Sequence, residues 1–167
     1  MAQQGGERRN ARSIVVGTDG SEPADEAVRQ AIDIASREGA RLHLVTAYPD
    51  PQILRERTTI WAIDPKGVIN SGGTGGGAHT IVDLREVAES IVQRAARDAQ
   101  SRGVEVETHV REGQPAEVII DVANQKQADL IVVGSRGLTG IKRYLLGSVS
   151  SKVSQHAPFS VMIVRAP

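Results

Sequence analysis

The chain has 167 residues, enough for one domain with a sizeable core and too few for two comfortable ones. Its 20 basic and 20 acidic side chains cancel and only 2% of residues are aromatic, so it carries neither the charge footprint nor the stacking platform of a general nucleic-acid binder. With no cysteine there can be no disulfide, thiolate nucleophile or cysteine-bound metal, and without a secretory apolar region or a membrane-length apolar run the expectation is a cytoplasmic protein with no membrane partner.

Residues 1–12 are polar and read as a disordered tail ahead of a domain over 13–167. Ser13 to Gly17 is a short β-branched run, the pattern of a parallel strand covered on both faces, and Asp19-Gly20-Ser21 is the turn after it. A helix opens near Pro23 and keeps Ala24, Ala27, Val28, Ala31, Ile32 and Ala35 at helical spacing until Gly39. Arg41 to Ala47 gives a second strand. The connection that follows is long, and its part over 50–79, with Pro51, Pro65 and a glycine tract, reads as a variable, partly flexible insertion. Thr80-x-x-Asp83 resembles a capping box before a second helix that runs to Gly103. Val104 to Arg111 alternates apolar and polar residues, as a half-exposed strand at a sheet edge does. Pro115 opens a third helix, Asp129 to Val133 forms a strand, Val149 to His156 a fourth helix closed by Pro158, and Phe159 to Val164 a last strand. Alternation of strand and helix calls for a parallel sheet covered by helices on both faces, with ligands bound beyond the carboxyl ends of the strands.

Two glycine patterns compete for a phosphate. Gly134-Ser135-Arg136-Gly137, nine residues, then Gly147-Ser148 follows a buried strand and precedes a helix that Ser148 can cap. Its glycines let the backbone turn or approach a ligand, and a helix N-terminus favours anions. Taken singly, each glycine reads as ordinary turn punctuation, and it is the joint pattern around one strand end that points to phosphate. No lysine follows a glycine as a Walker loop requires. Gly73 to Ala78 matches G-x-G-x-x-A, but no proper strand feeds it and no acidic residue ends a following strand, so it reads as loop.

The chain resembles the universal stress protein family. The resemblance rests on Ile14-Val15-Val16-Gly17-Thr18-Asp19-Gly20-Ser21, on Ala128 to Gly134, and on the G-x2-G-x9-G-S spacing from Gly134 to Ser148, which marks the ATP-binding branch; it covers about 13–165. It implies a Rossmann-like α/β domain, of the adenine nucleotide alpha hydrolase type, with five parallel strands, a homodimer, and an adenine nucleotide as ligand: ATP, with AMP or cyclic AMP as alternatives. Carried over by position, Gly17, Thr18 and Asp19 border the nucleotide, and Thr46, Val133 and Gly134 lie near the adenine edge. Gly137 sits by the ribose and phosphates, while Gly147, Ser148, Val149 and Ser150 hold the phosphates. Arg136 either reaches a phosphate or lies in solvent, and Asp19 either meets a phosphate-bound Mg²⁺ or caps its own turn. The dimer is expected through residues 160–164, an apolar strand whose unpaired edge invites association.

No catalytic residue is assigned. His43 and His109 lie within strands, His79 in the long connection and His156 at a helix end, none beside a nucleophile and none at a spacing that suggests a metal cluster. The expected function is an ATP-binding stress sensor or switch with slow or no turnover; a nucleotide hydrolase or transferase, or a dimeric module that binds no ligand, are the other readings.

Overall fold

The computed structural model describes residues 12–50, 61–63, 69–71, 83–136 and 146–166. Its main sheet has five parallel strands: β1 (Ser13–Gly17), β2 (Arg41–Tyr48), β5 (Val106–Glu112), β6 (Leu130–Gly134) and β7 (Ser160–Val164), in the order β5-β2-β1-β6-β7. The expected doubly covered α/β architecture is therefore present, and β5 lies at an edge as its alternating sequence requires. Two further short strands, β3 (Trp61–Ile63) and β4 (Ile69–Ser71), pair antiparallel within the long connection, which by sequence reads as a variable insertion without strands.

The helices are α1 (Glu22–Glu38), α2 (Leu84–Ser101), α3 (Pro115–Lys126) and α4 (Ser148–His156). Helix α1 is held at its start by Ser21, whose side chain accepts from Ala24 N–H, and at its end by Gly39 at φ 63°, a left-handed conformation that glycine adopts without penalty. The cap of α2 is Asp83, which accepts from Arg85 N–H; Thr80, the expected cap, lies outside the described residues.

Strand β1 is buried along its whole length because both faces are covered. Ile14, Val16, Leu42, Leu44 and Val132 point to α1 and α2, while Val15, Val45, Ile131 and Val133 point to α3 and α4. Such alternation of large apolar side chains to two separate cores is what fixes register, since a slip of one residue would exchange the faces of a strand. From β1 the chain builds outward through β2 to β5, then returns to the other side of β1 for β6 and β7. The segments leaving β1 and β6 therefore run to opposite faces of the sheet, and the crevice between those two strand ends is the place where such a fold takes a ligand.

Candidate functional site

A cleft of about 350 Å³ occupies this crevice, within the size range of small-molecule sites. Gly17, Thr18 and Asp19 reach it from the end of β1, Thr46 from β2, and Val133, Gly134 and Arg136 from β6 and the turn after it. Gly147, Ser148, Val149 and Ser150 bring the N-terminus of α4 to the same cleft. Eleven of the twelve expected site residues thus converge, and the twelfth, Gly137, lies outside the described residues. Sequence reasoning misses one wall: Leu84, Val87, Ala88 and Ile91 of α2 also line the cleft, although by sequence Leu84, Ala88 and Ile91 read as helix face alone.

The turn after β1 is held by its own hydrogen bonds. Thr18 N–H donates to the Val45 carbonyl at 2.9 Å and extends the β1–β2 ladder by one bond. Gly20, at φ 76°, lets the chain reverse, its N–H donating to Thr18 Oγ1, while Ser21 N–H donates to Asp19 Oδ1 at 3.0 Å. That last bond is the turn-capping role of Asp19. Across the cleft floor the Thr46 hydroxyl donates to the Thr18 carbonyl at 2.8 Å.

The start of α4 differs from expectation. Its N-cap is Gly147 rather than Ser148, which is the first helical residue, and among the described residues no side chain caps the helix. Ser150, only 1% exposed, directs its hydroxyl to the Ser135 carbonyl at 3.1 Å and the Gly147 carbonyl at 3.0 Å, tying the helix start to the end of β6. Its hydroxyl proton serves the protein, so any phosphate contact from Ser150 would come through its backbone N–H. The first bond within the helix runs from Ser151 N–H to the Gly147 carbonyl. The N–H groups of Ser148, Val149 and Ser150 precede it and have no partner within the helix, the arrangement that attracts an anion.

Gly134 is required for packing rather than for a sharp turn. A Cβ there would stand 2.8 Å from the Pro23 carbonyl carbon and oxygen, so the missing side chain lets the first turn of α1 close on β6. Gly17 is similarly crowded, by the flexible Ile119 side chain at 2.4 Å.

A second polar group sits under α3, away from the cleft. Parallel pairing of β2 with β5 sets His43 beside Glu107 and Val45 beside His109. His43 Nδ1 and His109 Nε2 are 3.2 Å apart, and Glu107 places Oε2 3.4 Å from His43 Nδ1 and Oε1 3.7 Å from His109 Nε2. Lys126 Nζ donates to Glu107 Oε1 at 2.7 Å, which holds the Glu107 carboxyl below its ordinary range. Burial lowers both imidazoles, His109 to about 4, so both rings are neutral at pH 7. No sequence spacing among the histidines suggests a metal cluster, yet these three residues converge through strand register. The one sequence signal was the Glu107-x-His109 spacing, which puts two ligand-type side chains on the same face of a strand.

A parallel sheet with helices on both faces, an anion-attracting helix start and an apolar slot at the switch point define a doubly wound α/β domain. The sequence pattern of the universal stress protein family matches residues 10–165, and the chain belongs to that family. Universal stress protein MJ0531 of Methanocaldococcus jannaschii is 31% identical over 156 residues, spanning 93% of this chain and 83% of the relative. A crystal structure of a universal stress protein in complex with cAMP matches with a TM-score of 0.61 at 28% identity, covering 92% of this chain and 95% of the other. The protein MJ0577 shares the fold with a TM-score of 0.70 at 21% identity, over 93% and 96% of the two chains.

Proposed function

We propose that the cleft binds an adenine nucleotide, with ATP as the ligand, and that the protein works as a binding switch in a stress response with slow or no turnover. The observation that carries this reading is the meeting, in one cleft, of the N-terminus of α4 with an apolar slot lined by β2, by Leu84, Val87, Ala88 and Ile91 of α2, and by Pro115 and Ile119 at the start of α3. Phosphates suit the first and a flat base suits the second. The relative crystallised with cAMP supports the adenine part of the reading.

Strand alternation suggests how adenine is selected. Val45 turns its carbonyl to β1 and Tyr48 turns its own to Gly113 after β5, so the intervening Ala47 directs its N–H and C=O away from β5, past the end of β1 and into the cleft. One donor and one acceptor on a single residue match the donor–acceptor edge of adenine and oppose that of guanine. The base is then read by Ala47, while Thr46 shapes the floor. Asp19 and Arg136 are the charged residues among the described cleft lining, and they suit a phosphate-bound Mg²⁺ and a phosphate respectively.

Calorimetry of the full chain with ATP, AMP, cAMP and GTP tests the reading: an adenine nucleotide should bind at least about tenfold more tightly than GTP, the discrimination of one well-placed hydrogen bond. Equal affinities would overturn adenine selection, and product accumulating from ATP and Mg²⁺ over many turnovers would overturn the switch in favour of a hydrolase.

We further infer a homodimer through β7. Val161, Met162 and Ile163 are only partly buried, and β7 is the outer strand on its side of the sheet. Two-fold pairing hides such an edge once and then stops. Light scattering should show a dimer for the native chain and a monomer for a folded Met162→Glu variant; a dimer in both would move the interface elsewhere.

A further inference from the structure

We propose that His43, Glu107 and His109 form a binding site for one divalent transition-metal ion, with zinc the best match, held by two imidazole nitrogens and one carboxylate oxygen. The site is separate from the cleft, since none of the three residues lines it, and the proposal stands whether or not the cleft binds a nucleotide.

The donor atoms already have the spacing that a small tetrahedral ion needs. Ligands about 2.0–2.1 Å from zinc lie about 3.3–3.4 Å from one another at tetrahedral angles. Here the nitrogens are 3.2 Å apart, and the carboxylate oxygens stand 3.4 and 3.7 Å from them. One donor atom from each of the three side chains lies within 4.8 Å of the other two. Two histidines and a glutamate are a zinc donor set that leaves a fourth position for water. Magnesium and calcium prefer six or more oxygens, so nitrogen-rich donors select against them.

Rigid elements hold the three side chains. His43 lies on β2, Glu107 and His109 on β5, and the pairing between these strands runs unbroken from Leu42–Val106 to Tyr48–Glu112. Lys126, on the last turn of α3, takes Glu107 Oε1 and leaves Oε2 facing His43. A fixed partner on the outer oxygen of a metal-binding carboxylate orients it, as outer-shell hydrogen bonds commonly do. Access is available as well: β5 is an edge strand and the Glu107 side chain is 42% exposed, so an ion can reach the buried rings past the carboxylate.

Proton balance is simple. With both rings neutral, the 3.2 Å contact between His43 Nδ1 and His109 Nε2 carries one N–H, donated by one ring to the other. The ion takes both of these nitrogens, so the ring that held this proton moves it to its other nitrogen, and no proton leaves the imidazoles. The His–His hydrogen bond and the Lys126 ion pair also satisfy the cluster without metal, which is the competing structural reading.

Zinc chloride titrated into chelator-stripped, tag-free full chain, followed by calorimetry, tests the proposal. One ion per chain is expected, with a raised thermal midpoint. Glu107→Gln, half exposed and therefore tolerant of change, should weaken binding at least about tenfold, while a His79→Gln, His156→Gln double variant should bind as the native chain does. Nitrogen-detected imidazole spectra should show His43 and His109 moving together, and cobalt(II) in place of zinc should give the intense visible absorption of a tetrahedral site. No saturable binding, native affinity in Glu107→Gln, or loss of binding in the double variant would each overturn it.

Discussion

Replacing Gly147 with valine is expected to weaken adenine-nucleotide binding by about a hundredfold or more while the far-UV spectrum stays native. Gly147 stands at φ −63° and ψ 160°, an extended conformation that valine adopts readily, so the backbone gives no reason for the fold to fail. The bonds that seat the residue are also preserved: its N–H donates to the Ser135 carbonyl at 2.8 Å, and its carbonyl accepts from Ser151 N–H. What changes is the surface of the cleft, where a branched apolar side chain stands beside the three N–H groups that begin α4. A hydrogen bond to a charged group contributes about 1.5–3 kcal/mol, so losing two costs about 3–6 kcal/mol, which is two orders of magnitude in affinity or more. Calorimetry on the folded variant checks it, and native affinity there would remove α4 from the phosphate site. An alanine at the same position should fall between the two.

Most of the framework was legible because it is written locally. Ser13 to Gly17 is apolar at every step since both of its faces are covered, and the spacing of Ala27, Ala31 and Ile32 follows the one face that α1 presents to the sheet. The positions of Gly17, Thr46 and Gly134 around one crevice follow from sheet topology, because parallel strands bring all their carboxyl ends to the same side. What failed to show was set by contacts between distant segments. Leu84 and Val87 look like ordinary helix face, and only the docking of α2 on β2 and β5 turns them into a cleft wall. Ser150 looks like a phosphate ligand until burial commits its hydroxyl to two carbonyls. His43 and His109 are 66 positions apart and meet through the register of two strands, a property that no single window of sequence contains. The short β3–β4 ribbon was missed because three-residue strands carry too few side chains for an alternating pattern to register.

Gly134→Ala should destabilise the protein by about 2–3 kcal/mol, the upper part of the range for overpacking a filled interior. The added Cβ would meet the Pro23 carbonyl carbon and oxygen at 2.8 Å and the Ala24 nitrogen at 3.0 Å, closer than carbon atoms approach such neighbours. These are backbone atoms, so no side chain can swing aside to relieve the contact. The first turn of α1 is further fixed by Ser21, which caps it, and by the Asp25 N–H bond to the Ser21 carbonyl at 2.8 Å. On the other side β6 is held between β1 and β7, with Ser135 N–H bonded to the Val164 carbonyl at 2.6 Å. Relief therefore requires α1 and β6 to separate, which loosens the buried Ala24 and Ala27 from the sheet. For a chain of this size each kcal/mol corresponds to about 2–4 °C, so the melting midpoint should fall by about 4–12 °C. The same step at Gly17 should cost less, because the atom nearest its new Cβ is the flexible end of Ile119. Thermal melts of the two alanine variants side by side test the distinction. Equal losses would mean that the approach of α1 to β6 yields as easily as a side chain, and that Gly134 is placed for the ligand after all.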